Sequence, residues 1–449
     1  MSKNLYIKTF GCQMNERDSE IIEQLLAQEG YVSTDSAEDA DVVLINTCSI
    51  REKAEQKVFS LLGQLREDKA NNPSLLIGVT GCVAQQEGVH ILNRMPHVNL
   101  IVGTQQIYRL PEMLARLEQQ VTTREIATNL ETSFTIPPFQ KLLANAPLSS
   151  SSFGFKRFVT IMQGCDNYCS YCVVPGTRGR EISRPMNDII EEVEILASQG
   201  VKEVTLLGQN VNSYGQTNQV AGFSVSFPDL LRRVATVKGL QRLRFITSHP
   251  KDLSEELMRC FSEIDILCPH FHLPVQSGSN AVLQRMNRKY TIETYLEKVA
   301  ALRRFRADIA LATDIIVGFP GETEADFQAT LNLLSTVRFH GSFSFKYSDR
   351  PHTRSADFTN KIPEDIKSRR LKEFQTLQDG IGLERNIESI GTNVEVLIES
   401  YDNDNYKGRS PANQMVHFTS QGQSLAPGDL VQVKIDQAGK HSLKGDLCK

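Results

Sequence analysis

The chain has no long apolar run, because no stretch of its 449 residues approaches the roughly 18–20 apolar residues that cross a bilayer. It also lacks a strong excess of charge, since 49 Lys and Arg stand against 53 Asp and Glu, for a net charge of −4. A membrane protein is therefore not expected, and the overall charge does not indicate nucleic-acid binding. The first residues have the features of neither a signal peptide nor a transit peptide, which favours the cytoplasm.

Cysteine, by contrast, is well represented, with nine residues in the chain. An odd number of cysteines without a secretion signal indicates reduced thiols and metal binding rather than disulfides. Cys165, Cys169 and Cys172 fall within eight residues at C-x3-C-x2-C spacing, with Tyr171 just before the last. Three thiolates suit an iron–sulfur cluster or zinc. Residues 173–176 supply no fourth ligand for a closed zinc site, whereas three ligands on a four-iron cluster would leave one iron open. We call these three residues the loop trio.

A second set of three cysteines is spread over residues 1–118, where strand and helix patterns alternate. Apolar strand patterns over residues 5–10, 41–46 and 75–80 end just before Cys12, Cys48 and Cys82, and a helical pattern follows each cysteine. Such alternation predicts a parallel sheet whose strands all end at one crevice. One cysteine of this kind would be interpreted as a small buried side chain. Three at the same relative position favour a second cluster, and we call them the strand-end trio.

The rest of the chain divides into a loose segment and two further units. Residues 119–150, with Pro137-Pro138 and a serine run at 149–152, are predicted to form a linker. Residues 151–383 alternate strands and helices, and the six strands are expected near 158–162, 202–207, 242–247, 270–275, 310–317 and 341–347. Six such units predict a partial (βα)6 barrel with an open side. Residues 384–449, with short strands and Gly, Pro, Asn and Asp turns, predict a small antiparallel β-barrel.

Loops that follow the central strands carry candidate ligands for a nucleotide-like cofactor. Glycine lets the backbone approach a ligand closely, and amide or carboxylate groups can hold a ribose or an amino group. The candidates are Gly208, Gln209, Asn210, Gln276, Ser277 and Asp314. Cys268, His270 and His272 could form a zinc site, but alternate residues of a strand are more often packed or hydrogen-bonded, and a metal is not expected there. Cys260 and Cys448 are interpreted as ordinary free thiols.

The two trios together resemble the methylthiotransferase family of radical S-adenosylmethionine (SAM) enzymes. The loop trio fits their C-x3-C-x-aromatic-C signature. The motifs Thr9-Phe10-Gly11-Cys12-Gln13-Met14-Asn15, Asn46-Thr47-Cys48-Ser49-Ile50-Arg51 and Gly81-Cys82-Val83-Ala84-Gln85 look like the branch that acts on N6-isopentenyladenosine in tRNA. The stretch Tyr347-Ser348-Asp349-Arg350-Pro351-His352-Thr353-Arg354 is similar to a family motif in which glycine occupies the position of His352.

The resemblance implies a [4Fe–4S] cluster on each trio and SAM on the open iron of the loop-trio cluster, with Tyr171 beside its adenine. It implies methylthiolation of C2 of the modified adenosine at position 37 of tRNA, with SAM as methyl donor and radical source. The expected partners are the tRNA anticodon stem-loop and a low-potential electron donor such as flavodoxin or ferredoxin, with the chain as a monomer. The C-terminal barrel resembles the RNA-binding TRAM module, and the resemblance favours this role over that of a structural cap over the mouth of the central barrel, with which the composition is also compatible.

Two alternatives remain open from the sequence. The same chemistry on threonylcarbamoyladenosine in tRNA or on a ribosomal protein would change only the substrate. A zinc-binding RNA module without catalysis would place the chain in another class of protein. Any basic surface must be local, and the candidates are Arg178, Arg180, Arg184, the cluster Arg285/Arg288/Lys289 and the run 367–372. Such groups are compatible with phosphate binding but are more often solvated helix faces. In the C-terminal unit a local patch could be formed by Tyr406, Lys407, Arg409, His417, Phe418, Lys434 and Lys440.

Overall fold

The structure is a computed structural model that describes residues 3–49, 52–120, 123–131, 134–143, 154–216, 225–420 and 422–448. The serine run at 149–152 and the motif residues Ile50 and Arg51 lie outside the described residues. Among the helices that are described, none combines the length and the apolar character that a bilayer crossing requires.

The N-terminal part is a parallel sheet of six strands with the order β2-β1-β3-β4-β5-β6. Its elements are β1 (Lys3–Thr9), α1 (Gln13–Gln28), β2 (Tyr31–Ser33), β3 (Val42–Thr47), α2 (Glu52–Asn71), β4 (Leu76–Thr80), α3 (Gly81–Arg94), β5 (Leu100–Val102), α4 (Leu110–Gln119) and β6 (Glu125–Ala127). Every residue of β3 and β4 is buried, as expected of inner strands covered by helices on both faces. The predicted parallel-sheet α/β unit is confirmed.

The segment predicted as a linker contributes to this body. β6 pairs with β5 as the sixth strand, and the short helix α5 (Phe139–Leu143) packs on α1, where Gln28 Nε2 donates to the Leu142 carbonyl at 2.6 Å. Neither element could be predicted from the sequence, because a three-residue strand and a five-residue helix are too short to show a hydrophobic period. The limits of the domains themselves stay predictions.

The central part is the predicted six-stranded partial barrel. It is built from β7 (Lys156–Thr160), the two-residue strands β8 (Met162–Gln163) and β9 (Ile182–Ser183), α6 (Val174–Arg178), α7 (Met186–Ser198), β10 (Glu203–Leu207), α8 (Phe227–Val234), β11 (Arg242–Phe245), α9 (Glu255–Glu263), β12 (His270–His272), α10 (Asn280–Arg285), α11 (Ile292–Phe305), β13 (Ala310–Val317), α12 (Glu324–Val337) and β14 (Gly341–Lys346). Two parallel three-stranded sheets, β11-β10-β7 and β12-β13-β14, are joined by a bridge between Leu243 and Leu267. The outer strands of this half-barrel are therefore β7 and β14.

The side chains of β11 alternate between the two faces of the half-barrel. Leu243 and Phe245 belong to the apolar core beneath the helices, so the alternating Arg242 and Arg244 face the opposite, inner side. Arg244 Nε donates to Glu203 Oε2 at 3.0 Å near the start of the strands. The inner side is thus polar, while the helix-covered side holds an aromatic cluster of Phe227, Phe245, Phe261 and Phe271.

A long helix, α13 (Glu364–Ile387), leads from β14 to a closed barrel of five strands. These strands are β15 (Asn393–Asp402), β16 (Asn405–Arg409), β17 (Met415–Thr419), β18 (Leu430–Ala438) and β19 (Ser442–Leu447). All neighbouring pairs are antiparallel except β17 and β19, which are parallel. The predicted small barrel is confirmed, with β16 and β19 as strands that the sequence pattern did not indicate.

The C-terminal barrel docks at the amino ends of the central strands. Arg242 Nη1 donates to the Arg409 carbonyl at 2.7 Å, and Arg244 donates to the Ser410 and Pro411 carbonyls at 2.8 Å each. Lys156, the first residue of β7, pairs with Glu399 at 2.7 Å. The module therefore lies at the end of the half-barrel opposite to the loop trio, and it is not a cap over the mouth.

Candidate metal centres and cofactor site

The strand-end trio is assembled by the register of three neighbouring strands. Thr9 of β1 is opposite Asn46 of β3, and Asn46 is opposite Thr80 of β4. Cys12, Cys48 and Cys82 follow these three level positions by three, two and two residues. Because β1 lies between β2 and β3, the first two cysteines flank the point at which the strand order reverses, where open parallel sheets bind ligands.

Glycines allow the three cysteine-bearing turns to pack closely. Gly11 has φ +138°, and a Cβ atom on it would lie 2.3 Å from the Cβ of Cys48. Gly81 has φ +87°, and its Cβ would lie 2.4 Å from Oδ1 of Asn46. Asn46 in turn donates from Nδ2 to the Asn15 carbonyl at 2.8 Å, which fixes the start of α1 beneath the trio. The residue before Cys12 and the residue before Cys82 therefore have to be small.

The thiols of the strand-end trio differ in their electrostatics. A hydrogen bond with Cys48 lowers the pKa of Cys12 to about 6, against the effect of burial and with the help of the positive charge of Arg178. Burial raises the pKa of Cys82, and the charge of Arg178 opposes that rise. A metal centre binds thiolates, so its binding would release the proton of Cys82.

The loop trio lies on a short turn that the half-barrel fixes from several sides. Cys172 N donates to the Cys169 carbonyl at 3.0 Å, and Gly164 N donates to Gln209 Oε1 at 2.6 Å just before Cys165. Ser170 Oγ donates to the Arg285 carbonyl at 2.9 Å. These hydrogen bonds fix the backbone of the loop on both sides of its cysteines.

Burial has the largest effect on the pKa values of Cys165 and Cys172 in the loop trio, and a buried arginine lies beside Cys169. Burial raises the pKa of Cys165 to about 11, and burial followed by the charge of Cys169 raises that of Cys172 to about 12. The buried Arg288 directs Nη1 at the sulfur of Cys169, 3.5 Å away. Thiols with raised pKa values, such as Cys165 and Cys172, bind metal ions with release of their protons, and the neighbouring guanidinium would favour the resulting negative charge.

Buried polar atoms without partners mark a ligand site beside the loop trio. Glu181 accepts a hydrogen bond from Ser213 Oγ at 2.7 Å through one oxygen, and burial raises the pKa of its carboxyl to about 7. Among the described residues, the atoms that lack a hydrogen-bond partner there are Gln163 Nε2, Glu181 Oε1, Asn212 Oδ1, Ser248 Oγ and His249 Nε2. Buried polar groups are normally satisfied, so this set fits a polar ligand with both donors and acceptors.

His249 has a defined tautomer in this site. Its Nδ1 accepts a hydrogen bond from Lys251 N at 3.2 Å, so the proton lies on Nε2. Burial, followed by the charge of Arg288, keeps the pKa of the imidazole well below its usual value. His249 is thus a neutral donor, and its ring packs edge-on against Tyr290 with centroids 5.7 Å apart.

The loop after β10 holds three of the residues predicted to contact the cofactor. Gly208 lies so close to Met162 that a Cβ atom would be 2.4 Å from its Cγ. Gln209 holds the backbone before Cys165, and Asn210 accepts from His249 N at 3.1 Å while donating to Asp252 at 2.8 Å. The structure therefore brings this loop to the loop trio, and a direct contact with the cofactor stays a prediction for each residue.

The remaining predicted residues lie at the same rim. Gln276 has φ +74° and bridges to β13 through its backbone, while Ser277 Oγ lies 3.5 Å from Thr330 Oγ1. Asp314 is paired with His272, whose Nε2 is 3.0 Å from its Oδ1. Tyr171 packs edge-on against Phe319 with centroids 6.4 Å apart. Their role as SAM contacts stays a prediction.

The geometry differs from that of a mononuclear metal site. Across the parts of the chain that the structure describes, no three His, Cys, Asp or Glu side chains converge on one point that could hold a single ion. In a four-iron cluster each cysteine ligates a different iron, so the thiols have to border one cavity instead of meeting at a point. All nine cysteines are free thiols, and both trios supply the donor set that such clusters use.

Several important residues escaped the sequence analysis. Arg178, Arg184 and Arg288 were grouped with the basic surface residues, but each is at most 4% exposed. Arg370 of the 367–372 run is also 4% exposed and pairs with Glu322 at 2.7 Å. A solvated helix face is therefore the wrong interpretation for these four. Spacing alone gives no signal for Arg178 and Arg370, because their carboxylate partners Asp18 and Glu322 lie 160 and 48 positions away in sequence.

Two further expectations are resolved by burial and conformation. Tyr406 and Phe418 belong to the core of the C-terminal barrel, so they are not surface residues for RNA, whereas Lys407 and His417 are exposed. His352, at the position of the family glycine, has φ +62° and so keeps the left-handed conformation that glycine favours.

Comparison with known proteins adds independent information. The Radical SAM superfamily model matches residues 159–334, and the model of the uncharacterized protein family UPF0004 matches residues 4–103. The tRNA-2-methylthio-N(6)-dimethylallyladenosine synthase of Desulfotalea psychrophila is 55% identical over 99% of both chains. The synthase of the same name from Geobacter sulfurreducens is 49% identical over 99% of this chain and 98% of its own.

Among solved structures, the chain is similar to the radical SAM methyltransferase TsrM from Kitasatospora setae. The TM-score is 0.57 at 15% identity, covering 79% of this chain and 77% of TsrM. The cobalamin-dependent radical SAM enzyme OxsB matches with a TM-score of 0.54 at 11% identity, covering 84% of this chain and 56% of OxsB. At these identities the likeness concerns the fold alone.

A half-barrel with a C-x3-C-x2-C loop after its first strand, matched by the superfamily model, defines a radical SAM enzyme. The two full-length relatives narrow this class. The chain belongs to the tRNA-2-methylthio-N(6)-dimethylallyladenosine synthase family, whose enzymes use SAM and [4Fe–4S] clusters. The resemblance to the methylthiotransferases is thereby confirmed, and a non-catalytic zinc module is set aside.

Proposed function

We propose that this enzyme converts N6-(dimethylallyl)adenosine at position 37 of tRNA into its 2-methylthio derivative. The observation that carries this proposal is identity of 55% over 99% of the chain with a relative named for that product. The motifs around Cys12, Cys48 and Cys82 support the same substrate over threonylcarbamoyladenosine or a ribosomal protein.

In this proposal the strand-end trio holds an auxiliary [4Fe–4S] cluster, and the loop trio holds the cluster that binds SAM. When bound, these groups supply the methyl group, the sulfur chemistry and the one-electron chemistry that an unactivated aromatic carbon requires. The thiols hold and orient the clusters, and the unpaired atoms of Glu181, Asn212 and His249 are available to the polar groups of SAM. Cys48, Cys82 and Cys165 are buried, and Cys12, Cys169 and Cys172 are half-buried, so the protein partly shields both trios from water.

A short piece of chain connects the loop trio to the surroundings of the strand-end trio. Helix α6 begins two residues after Cys172, and its last residue, Arg178, acts electrostatically on Cys12 and Cys82. A five-residue helix is about 7 Å long, so the two trios border a common region. This arrangement supports a reaction in which one substrate base faces both centres.

The proposal includes tRNA recognition by the anticodon stem-loop, whose unpaired bases can be splayed out and read by stacking and edge contacts. The C-terminal barrel offers a row of exposed basic side chains, Lys407, His417 and Lys444, on three adjacent strands, and the exposed ring of Tyr401. A low-potential electron donor such as flavodoxin or ferredoxin, a monomeric state and a cytoplasmic location complete the proposal.

The test compares single Cys→Ala variants of the two trios after anaerobic reconstitution. Variants at Cys12, Cys48 or Cys82 are expected to cleave SAM but form no 2-methylthio product, whereas variants at Cys165, Cys169 or Cys172 lose both activities. The wild type is expected to hold about eight irons per chain, the content of two four-iron clusters. A Cys260→Ala variant, outside both trios, serves as the control with full activity.

The identity of the substrate is tested separately by mass spectrometry of tRNA nucleosides from a strain that lacks the gene. Loss of 2-methylthio-N6-isopentenyladenosine and its return with the wild-type chain are expected. An unchanged level of this nucleoside, with another methylthiolated product missing, would contradict the proposed substrate.

A further inference from the structure

The segment that follows the loop trio packs against the residues after β5 of the N-terminal sheet, beside the strand-end trio. Thr104 Oγ1 donates to the Thr177 carbonyl at 2.6 Å, and Gln105 Nε2 donates to the Arg178 carbonyl at 3.5 Å. Gly179 packs so closely there that a Cβ atom would lie 2.8 Å from Gln105 Nε2. The backbone at Arg178 is thus held by residues of the N-terminal part, six positions after Cys172.

The guanidinium of Arg178 is buried among the residues that surround the strand-end trio. Nη2 donates to Asp18 Oδ2 at 2.7 Å and to Asn15 Oδ1 at 3.0 Å, and the residue is 3% exposed. Burial alone would lower its pKa, but the charges of Asp18, Cys82 and Cys12 outweigh that effect and raise it. The side chain therefore stays positively charged next to two of the three thiols.

In the part of the chain that the structure describes, one nitrogen of this guanidinium lacks a well-formed hydrogen bond, although the guanidinium also interacts with the side chain of Cys82 and thereby opposes the rise that burial causes in the pKa of that thiol. Nη1 of Arg178 is buried and, within the described residues, has no hydrogen-bond partner. Leaving a buried donor of a charged group unsatisfied is costly, so an acceptor is expected at this position in the complete enzyme. Thiolate and inorganic sulfur are acceptors that a cluster at the strand-end trio would bring.

We infer that Arg178 is a positioning residue for the auxiliary cluster, to which it donates a hydrogen bond from Nη1 to a sulfur atom. The inference rests on the proposed function, because it requires a cluster on Cys12, Cys48 and Cys82. A positive charge and a hydrogen bond both stabilise the more negative, reduced form of a cluster, so Arg178 raises the reduction potential of this centre. It also fixes the auxiliary centre relative to the loop trio through α6.

The loop trio has an arginine of its own, which provides a control. Arg288 directs Nη1 at Cys169 Sγ, 3.5 Å away, while its Nη2 donates to the Pro274 carbonyl at 2.7 Å. Each trio therefore has one buried guanidinium, and each guanidinium is expected to act on its own cluster.

The test is a redox titration, followed by electron paramagnetic resonance, of the full-length chain with Cys165, Cys169 and Cys172 replaced by alanine. Only the auxiliary cluster then contributes to the signal. In that background, Arg178→Gln is expected to make one-electron reduction at least tenfold less favourable, a shift of about 59 mV to more negative potential. Arg178→Lys keeps the charge and is expected to recover most of this shift.

Asp18→Asn gives a test of opposite sign, because it removes the negative charge that faces the same guanidinium. The potential is expected to rise in this variant, a result that a general loosening of the site would not produce. Arg116→Gln removes an exposed arginine of the N-terminal sheet that pairs with Glu125, and its potential should match the parent chain. Arg288→Gln should also match the parent in this background, and should shift the remaining cluster when the strand-end trio is replaced instead.

Two results would overturn the inference while leaving the proposed function intact. One is a potential in Arg178→Gln equal to that of Arg116→Gln with about four irons retained, and the other is a shift of the same sign in Asp18→Asn. Loss of iron from Arg178→Gln, with retention in Arg178→Lys and in Arg116→Gln, supports the positioning role. A parent chain without iron on the strand-end trio would overturn the proposed function and this inference together.

Discussion

A buried ion triad between the N-terminal sheet and the half-barrel gives the sharpest stability prediction. Glu192 of α7 pairs with Arg17 of α1 at 2.5 Å and with Arg184 at 2.6 Å. The exposure of the three side chains is 0%, 3% and 3%. The change to test is Glu192→Gln, which keeps the shape of the side chain and removes its charge.

The expected loss of stability depends on the hydrogen-bond acceptors that Arg17 and Arg184 would keep in the variant. Removing one member of a buried ion pair costs about 3–5 kcal/mol, because the partner stays buried without compensation. Arg17 also pairs with Glu20 at 3.0 Å, and Arg184 also donates to the Thr160 carbonyl at 2.7 Å. These second acceptors place the expected loss near the lower limit, at about 3 kcal/mol.

The assay is hydrogen–deuterium exchange of the amides in α1 and α7. A loss of about 3 kcal/mol corresponds to exchange faster by roughly two powers of ten in both helices, since about 1.4 kcal/mol equals a factor of ten. Glu125→Gln is the matched control, because Glu125 pairs with Arg116, whose side chain is 51% exposed, and a solvent-exposed pair of this kind contributes little to stability. Equal exchange in the two variants would refute the reasoning, as would an effect confined to α7.

Three further predictions concern a turn, a titration and the core. Gly11→Ala places a Cβ atom 2.3 Å from the Cβ of Cys48 at a backbone φ of +138°. Iron analysis should therefore show no iron at the strand-end trio and about four irons at the loop trio. Unchanged total iron would contradict this prediction. Burial lowers the pKa of His340 to about 4, so its neutral form stabilises the fold above pH 6.5, and the stability is lost as the pH falls towards 4. His340→Asn should therefore remove about 2 kcal/mol of the decline in urea-unfolding free energy between pH 7 and 4.5, and an identical decline in both proteins would argue against it. Phe271→Ala, at a ring that is 0% exposed and lies 5.5 Å from Phe245, should cost about 3–5 kcal/mol, and a loss below 1 kcal/mol would show that the aromatic cluster is not tightly packed.

The course of the strands could be predicted from the sequence because their signals are local. Residues 310–317 were expected as a strand and form β13 over the same range, and the three strands before Cys12, Cys48 and Cys82 lie within two residues of their predicted bounds. Apolar runs flanked by glycine and polar residues carry that information without reference to the rest of the chain. The convergence of the strand-end trio follows from them, since parallel neighbours in register end at one edge.

What escaped prediction depends on contacts between distant residues. Arg178 and Asp18 are separated by 160 positions, and Arg17 and Glu192 by 175. A buried arginine looks like a surface arginine in sequence, because its burial is decided by a carboxylate elsewhere in the chain. The unpaired atoms of Glu181 and His249 likewise become visible only when their surroundings are complete.

The way the C-terminal barrel is attached has a consequence for shortened chains. Arg242 and Arg244 project from β11 and direct their guanidinium groups at carbonyl oxygens of residues 409–411, with Glu395 as a further acceptor for Arg242. The five-stranded barrel thus closes the end of the half-barrel at which the strands begin. In a chain that ends at α13, the guanidinium groups of Arg242 and Arg244 would lose these oxygen acceptors and become exposed. Loss of catalysis after such a truncation would therefore report a damaged catalytic body as much as a missing RNA contact.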